Sequence, residues 1–213
     1  MGTEVIKPEV IKKRMWLDYQ YACGGPAGER LDSVHHLITD LADPKLDLHS
    51  FLQEAADAIR MKIGVKEVTI GLRSSSDGMF KYEVMSGLHE DSWEAHKKLA
   101  YTYEQFFSQE TYKFMQISKY TRLYLAEDNP YGAGEEGTYH KDIMLGSARR
   151  SLDDTIEGDY IDILIFGKGE ELMGWIEISG MQNGKFPDAQ TIKSIELLAS
   201  AMAISLSARP RET

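Results

Sequence analysis

Trp175 and Glu177 have the types and the spacing expected of two side chains that share a binding surface. They lie two positions apart in LMGWIEIS, the segment from Leu172 to Ser179. Successive side chains of a strand point to opposite faces, so both belong to one face of a predicted strand. A carboxylate beside an indole is unusual in a dry core. Glu177 therefore either contacts a ligand or faces solvent, and the alternation leaves both interpretations open.

Two histidines could supply the axial ligand that a noncovalent haem requires. His140 lies in the polar stretch from Thr138 to Asp142 and is the better candidate, with His96 second. A single histidine in a polar stretch is equally typical of an ordinary surface residue. Haem binding through His140 therefore stays an alternative.

Arg149, Arg150 and Lys141 carry positive charge that could neutralise the phosphate of a cyclic nucleotide. Asp128 or Asn129 could contact the edge of its base. The opposing interpretation pairs the arginines with surface carboxylates, an arrangement that contributes little to stability. Cyclic-nucleotide binding is a second alternative.

Cys23 is the one cysteine of the chain. It excludes an internal disulfide framework, a cysteine-rich metal site and a redox cycle that needs a resolving cysteine. The acidic loop after Asp128 lacks the ligand spacing of an EF-hand. Motifs for a phosphate loop, a zinc protease or a serine nucleophile do not occur. The sequence therefore predicts neither a metal site nor an enzyme.

Composition sets the broad class of the protein. The 213 residues are 42% hydrophobic and 27% charged, which suits a globular domain with a substantial core. A net charge of −10 without clustered Lys and Arg argues against a nucleic-acid surface. No apolar stretch reaches about 18 residues, and the first residues lack the apolar region of a signal peptide. We expect a cytoplasmic protein that binds neither nucleic acid nor a membrane.

The elements that must position these residues follow from hydrophobic periodicity. In chain order, the predicted elements are a leader with a helix over 9–21, helices over 31–41 and 48–63, a hairpin over 68–87, a helical segment over 89–118, strands over 121–128, 160–166 and 172–179, and a helix over 188–207. Residues 138–158 have no clean period. Strands joined by tight turns are antiparallel, which predicts an α+β fold with helices covering one face of the sheet.

The final predicted helix carries two apolar stripes. One stripe consists of Ile192, Ile195, Ala199, Met202 and Leu206, and the other of Leu198, Ala201 and Ile204. One stripe suffices to cover a sheet, and monomers rarely leave a second one exposed. We therefore expect a homodimer built by this helix and the helix over 31–41. The alternative is that the two helices pack on each other within one chain.

Two long segments together resemble a GAF domain. They are LDLHSFLQEAADAIRMKIGVKEVTIGLRSSSDGMFKYEVMSGL and DYIDILIFGKGEELMGWIEISGMQNGKFPDAQTIKSIELLASAMAISL. The first has a loop ending in Asp77-Gly78 and a strand closing on Ser86-Gly87. The second has a hairpin with a central Gly174 and a lead-in at Gly184. The resemblance covers residues 31–207, with a leader over 1–30, an expanded middle over about 108–158 and a tail over 208–213.

The resemblance implies a sheet of about five or six antiparallel strands, with terminal helices on one face and a ligand pocket on the other. The family's middle segment supplies much of that pocket. On this expectation the pocket residues are Tyr124, Asp128, Tyr131, His140, Arg149, Trp175 and Glu177.

The resemblance also implies a function in signalling, as a small-molecule sensor and dimerisation module, with a downstream signalling domain or protein as partner. A free-methionine-sulfoxide reductase needs several cysteines, and a covalent bilin needs a cysteine within the domain, so both are excluded. We expect a non-enzymatic sensory or regulatory domain for an unidentified small molecule. The alternatives are a noncovalent haem or cyclic-nucleotide sensor, and a pure dimerisation module whose pocket is filled by Trp175, Phe80 and Tyr124.

Overall fold

The computed structural model describes residues 7–40, 46–129, 135, 137–140, 143 and 146–209. In chain order they form α1 (Pro8–Cys23), α2 (Pro26–Asp40), α3 (Leu48–Ala58), β1 (Val68–Arg73), β2 (Phe80–Ser86), α4 (Glu90–His96), β3 (Ala100–Tyr101), α5 (Tyr103–Phe107), β4 (Met115–Gln116), β5 (Thr121–Tyr124), β6 (Tyr160–Phe166), β7 (Leu172–Ile178) and α6 (Ala189–Ala208). A π-helical turn, Ile59–Ile63, extends α3 and ends at Gly64, whose φ of 84° is left-handed.

The seven strands in the described part of the chain form one sheet in the order β3-β2-β1-β7-β6-β5-β4. Every neighbouring pair is antiparallel. The predicted α+β fold with an antiparallel sheet is therefore confirmed. The strand count exceeds the predicted five or six because β3 and β4 add a two-residue strand at each edge.

The prediction of a helical segment over 89–118 is wrong. α4 ends at His96, and Ala100–Tyr101 pairs instead with β2, with Tyr101 opposite Phe80. A capping box then starts α5: Gln105 N donates to Thr102 Oγ1 at 3.2 Å, and Thr102 N donates to the Gln105 side chain at 2.9 Å. Helical composition was outweighed here by strand pairing and by a new helix cap.

One face of the sheet packs against α3 and α6. Ile70, Ile163 and Ile176 are fully buried there against Phe51 of α3 and Ile195 of α6. Burying such a side chain contributes about 1.5–3 kcal/mol relative to leaving it exposed. This apolar layer fixes the sheet and directs the alternate side chains of each strand to the opposite face.

Both predicted stripes of α6 contribute to this core. Met202 belongs to the first stripe and Leu198 to the second, and each is 0% exposed. α2 packs against α6 within the chain, and its Val34 joins the core. α2 begins at Pro26, five residues before the predicted Leu31. Within one copy of the chain, the two terminal helices therefore pack on each other, as the alternative prediction has it.

The outer face of α6 keeps two large apolar side chains in solvent, Leu197 and Ile204. Among the described residues, Ala189–Ala208 is also the one helix with the length and apolar composition to cross a membrane. The core helix of a soluble protein passes the same test, and α6 buries Ile195 and Leu198 against the sheet. Its place in the core accounts for that composition.

Candidate ligand-binding site

A cavity of about 810 Å³ lies on the face of the sheet opposite α3 and α6. Its floor includes Thr69 of β1, Glu177 of β7 and Asp162 of β6, and its walls come from segments between residues 87 and 160. Volumes of about 300–1,000 Å³ are typical of small-molecule sites.

The floor belongs to a polar row that crosses four adjacent strands. Thr69 pairs with Glu177, Glu177 with Asp162, and Asp162 with Arg122. Because directly opposite residues of antiparallel strands project to the same face, these side chains are cross-strand neighbours. Thr69, Asp162 and Arg122 are all buried, so the row is a polar layer in the interior of the domain.

Glu177 is held by a tyrosine. Tyr82 Oη donates to Glu177 Oε2 at 2.9 Å. Burial raises the pKa of the Glu177 carboxyl, while the nearby His96 and the hydrogen bond from Tyr82 oppose that shift. Among the described residues Glu177 makes no ion pair. Burial also raises the pKa of Tyr82, which keeps its hydroxyl protonated as the donor.

Asp162 lies deeper than Glu177 and is only 4% exposed. Burial, reinforced by the negative charge of Glu177, raises the pKa of Asp162 well above its ordinary range, against the opposing charge of Arg122. Asp162 Oδ1 and the neighbouring Thr69 Oγ1 are buried without a hydrogen-bond partner in the described part of the chain. Buried polar atoms without partners are rare and costly, and they are typical of places where a ligand or water belongs.

Arg122 lies on the other side of Asp162 and contacts three phenylalanines. Its guanidinium lies 4.2 Å from the ring centre of Phe107 and 4.4 Å from that of Phe114. Its Nη1 donates to the Phe106 carbonyl oxygen at 2.9 Å. Arg122 therefore holds the α5 region over β5, and its charge opposes that of Asp162.

Aromatic rings surround the carboxylates. The Tyr82 ring lies edge to face with the rings of Trp175 and His96. The distances between ring centres are 5.0 Å and 4.9 Å, respectively. Tyr124 and Tyr160 are stacked at 4.3 Å. The tyrosines that line the cavity are Tyr82, Tyr101, Tyr112, Tyr124, Tyr139 and Tyr160. The surface is thus aromatic with many hydroxyl groups.

Trp175 and Phe80 form a second apolar cluster with Leu164 and Leu172 on the cavity side of the sheet. Gly71 makes room for the indole, because a Cβ at that position would overlap the Trp175 ring. The predicted filling of the pocket by Trp175, Phe80 and Tyr124 is therefore partial, since the cavity lies beside this cluster.

Four of the predicted pocket residues line the cavity, namely Tyr124, His140, Trp175 and Glu177. The His140 backbone N–H donates to Glu157 Oε1 at 3.2 Å, and its ring centre is 6.2 Å from that of His89. Tyr131 lies outside the described residues. Whether any of these side chains contacts a ligand stays a prediction.

Asp128 and Arg149 are not brought into the cavity wall, which corrects the predicted grouping. Arg149 donates two hydrogen bonds of 2.8 Å to Glu127, one of 2.6 Å to Asp159 and one of 2.7 Å to the Asp154 carbonyl oxygen. The guanidinium N–H groups of Arg149 therefore bond to protein oxygens of the same domain. Asp128 is exposed, and its N–H donates to the Leu125 carbonyl oxygen in a turn.

Sequence reasoning missed Asp162, Thr69 and Tyr82. Asp162 had a recognisable signal, because it is the one charged residue of the apolar strand YIDILIF. A carboxylate inside such a strand is seldom found without a partner or a role. Thr69 and Tyr82 had no comparable signal, since both types are ordinary in strands.

The cavity wall is predominantly acidic. Its described carboxylates are Glu67, Glu135, Asp154, Glu157, Asp159, Asp162 and Glu177. Its described cations are Lys66 and Arg150, together with three histidines. Lys66 is within 4.0 Å of both Glu67 and Glu157. This balance disfavours the phosphate of a cyclic nucleotide and the propionates of haem.

Comparison with solved structures identifies the fold. The GAF domain of a phosphoenolpyruvate-protein phosphotransferase from Coxiella burnetii matches with a TM-score of 0.55 and 15% identity, over 85% of this chain and 94% of that one. The A. aeolicus nlh2 GAF domain in an inactive state matches with a TM-score of 0.55 and 12% identity, over 85% and 98%. The chromophore-binding domain of Stigmatella aurantiaca bacteriophytochrome matches with a TM-score of 0.54 and 14% identity. The match covers 87% of this chain and 62% of that one.

The predicted GAF-like fold is therefore confirmed. No family model and no curated protein sequence matches the chain. At these low identities the likeness establishes the fold, and the function has to be argued from the site.

Proposed function

We propose that this domain is a non-enzymatic sensory or regulatory module that binds a small molecule in the cavity above β1, β7 and β6. The observation that carries the proposal is the floor itself. Within the described part of the chain, Thr69 Oγ1 and Asp162 Oδ1 are buried without a hydrogen-bond partner beside the half-buried Glu177. Such a floor costs free energy when it is empty, and a bound molecule with matching donors offsets that cost.

The neighbouring structures support a signalling context for this proposal. The solved GAF domains that resemble the chain include one from a putative sensor histidine kinase of Pseudomonas syringae, with a TM-score of 0.51 and 11% identity. The Stigmatella domain is named for binding a chromophore. We infer that this chain likewise couples an occupied cavity to a downstream signalling domain or protein in the cytoplasm.

We further propose that the domain acts as a homodimer through the outer faces of α2 and α6. Leu197 and Ile204 on α6 and Leu31 on α2 are exposed large apolar side chains. Exposed apolar side chains grouped on terminal helices favour association with a second copy. α6 also contacts β6, the strand that carries Asp162, so a change in the cavity has a short path to this surface.

Native mass spectrometry of gently purified protein tests the ligand proposal. We expect a retained molecule in stoichiometric amount. Leu99→Trp, which enlarges a half-buried side chain of the cavity wall, should abolish retention. Leu152→Trp is the matched control, because Leu152 is 97% exposed and does not line the cavity. Equal retention by both variants, or no retained molecule in the parent, contradicts the proposal.

A further inference from the structure

We propose that the cavity takes a small organic cation, an ammonium or guanidinium group joined to an aromatic group, with the cationic group at Glu177. This inference rests on the proposed function, because it names the ligand class of the same cavity. Three independent features of the described residues lead to it: the charge balance of the floor, its unpartnered acceptors, and the aromatic wall.

The floor contains one carboxylate more than it contains cations. In the polar row, Asp162 faces Arg122 across β6 and β5, so a cation opposes its charge. Glu177 has Thr69 and Asp162 as its cross-strand neighbours, and neither of them is a cation; the nearby His96 opposes the rise of its pKa, but the described residues form no ion pair with Glu177. A carboxylate removed from water requires a positive partner, or else it takes up a proton. A ligand cation at Glu177 supplies that partner.

Two unpartnered oxygens of the described floor residues can accept a hydrogen bond, while Arg122 Nε, an unpartnered donor of the same polar row, lies outside the cavity lining. Asp162 Oδ1 and Thr69 Oγ1 lie on the strands that flank Glu177 on either side. Glu177 Oε2 accepts a hydrogen bond from the Tyr82 hydroxyl at 2.9 Å. The Trp175 and Thr69 side chains also lie close enough to favour its charged form. An ammonium group has three N–H donors and no acceptor, and a guanidinium has several donors in one plane. Both groups complement a surface with surplus acceptors, whereas a carboxylate or phosphate would add acceptors to it.

The wall suits the remainder of such a ligand. Six tyrosines line the cavity, and Tyr82 and Tyr101 stand at 6.4 Å from each other beside Glu177. Aromatic rings attract a cation that lies within about 6 Å of the ring face and also stack on planar groups. Apart from the floor, the described part of the cavity lining has five carboxylates and two cations, and Arg149 and Lys185 pair with two of those carboxylates from outside the lining. The aromatic rings are therefore the feature of the wall that favours an aromatic cation.

Three probes of similar shape and different charge test the ligand class. Phenethylamine is cationic, phenethyl alcohol neutral and phenylpropionate anionic. Isothermal titration calorimetry at low salt and about pH 8, on the alkaline side of the neutral range because burial raises the pKa of Glu177, measures each affinity. We expect phenethylamine to bind at least about tenfold more tightly than the alcohol, as a charge-assisted hydrogen bond requires, and phenylpropionate not to bind.

Glu177→Gln should weaken phenethylamine about tenfold while leaving the alcohol unchanged, because glutamine keeps an acceptor for Tyr82 but has no charge. If Glu177→Gln does not fold, the pH dependence of the parent gives a second readout: phenethylamine should bind more weakly as pH falls and Glu177 takes up a proton, whereas the alcohol should not. Glu54→Gln is the matched control, since Glu54 is an exposed carboxylate of α3 on the other side of the sheet. It should bind as the parent does.

Equal or tighter binding of the alcohol or phenylpropionate overturns the inference, as does unchanged amine binding in Glu177→Gln or no amine binding at all. A neutral or anionic molecule retained by the purified protein likewise overturns it and leaves the proposed function standing. A different result would contradict the proposed function, namely that Leu99→Trp retains the bound molecule as well as the parent does.

Discussion

Asp162 and Glu177 stand directly opposite each other on β6 and β7, on the face of the sheet that lines the cavity. Like charges in this cross-strand position repel each other, and burial removes the water that would screen them. Burial raises the pKa of both carboxyl groups, that of Asp162 well above its ordinary range. The pair consequently binds protons more readily in the folded protein than in the unfolded chain.

This pair predicts a pH dependence of stability. A carboxyl group with a raised pKa in the folded state stabilises the fold on the acid side, and this contribution is lost as pH rises through the raised pKa. The groups that influence the pair are His96, Arg122, Tyr82, Tyr124, Trp175 and Thr69. Between about pH 5 and pH 8 the parent should lose more unfolding free energy than the double variant Asp162→Asn, Glu177→Gln.

Urea unfolding at several pH values measures this difference. Glu54→Gln serves as the control and should keep the pH slope of the parent, because its carboxylate is exposed. A double variant with the same slope as the parent would show that the pair does not titrate differently on folding.

Gly71 is predicted to be required for the position of Trp175. A methyl group at residue 71 would overlap the indole, which is 1% exposed and packed on Phe80 and Leu164. Gly71→Ala should therefore lower the unfolding free energy by about 1–3 kcal/mol, the usual cost of overpacking, and alter the tryptophan fluorescence. Gly25→Ala is the control, because a Cβ there meets no atom within 4 Å. Similar losses in both variants would contradict the explanation.

The Arg149 network predicts different costs for two carboxylates with the same partner. Asp159 is 2% exposed and also accepts from the Ala126 and Ile156 N–H groups, at 3.0 and 2.8 Å. Asp159→Asn should cost about 3 kcal/mol, because the substitution leaves Arg149 less well paired at a buried position. Glu127→Gln should cost less than about 1 kcal/mol, since the Glu127 side chain is half exposed. Thermal or urea unfolding measures the loss of unfolding free energy in each variant. Equal losses would contradict the prediction that the buried carboxylate contributes more than the exposed one.

Dimerisation is predicted to depend on the exposed face of α6. Leu197→Glu and Ile204→Glu each place a charge on that face and should shift the protein towards monomer in sedimentation equilibrium. Met61→Glu is the matched control: Met61 is a 74% exposed apolar side chain on the turn after α3. A parent that stays monomeric at tens of micromolar, or variants as dimeric as the parent, would contradict the prediction.

The local elements of this protein and the faces of its strands follow from the order of its residues. Alternation over 172–179 placed Trp175 and Glu177 on one face of β7, and the structure has them on the cavity side. Helical periodicity and the stop at Gly64 located α3 and its continuation. These properties depend on residues a few positions apart, so the order of residues contains them directly.

Only the tertiary structure decided which distant residues meet. Glu177 lies opposite Asp162 because β6 and β7 pair in one particular register, and a shift of one residue would turn every side chain to the other face. Ala100–Tyr101 became a strand because an edge of β2 was available to it. Arg149 does not line the cavity, because its guanidinium bonds to Glu127 and Asp159, which the fold brings within hydrogen-bond distance of it. Contacts of this kind depend on packing between segments far apart in the chain. Local periodicity contains no information about that packing.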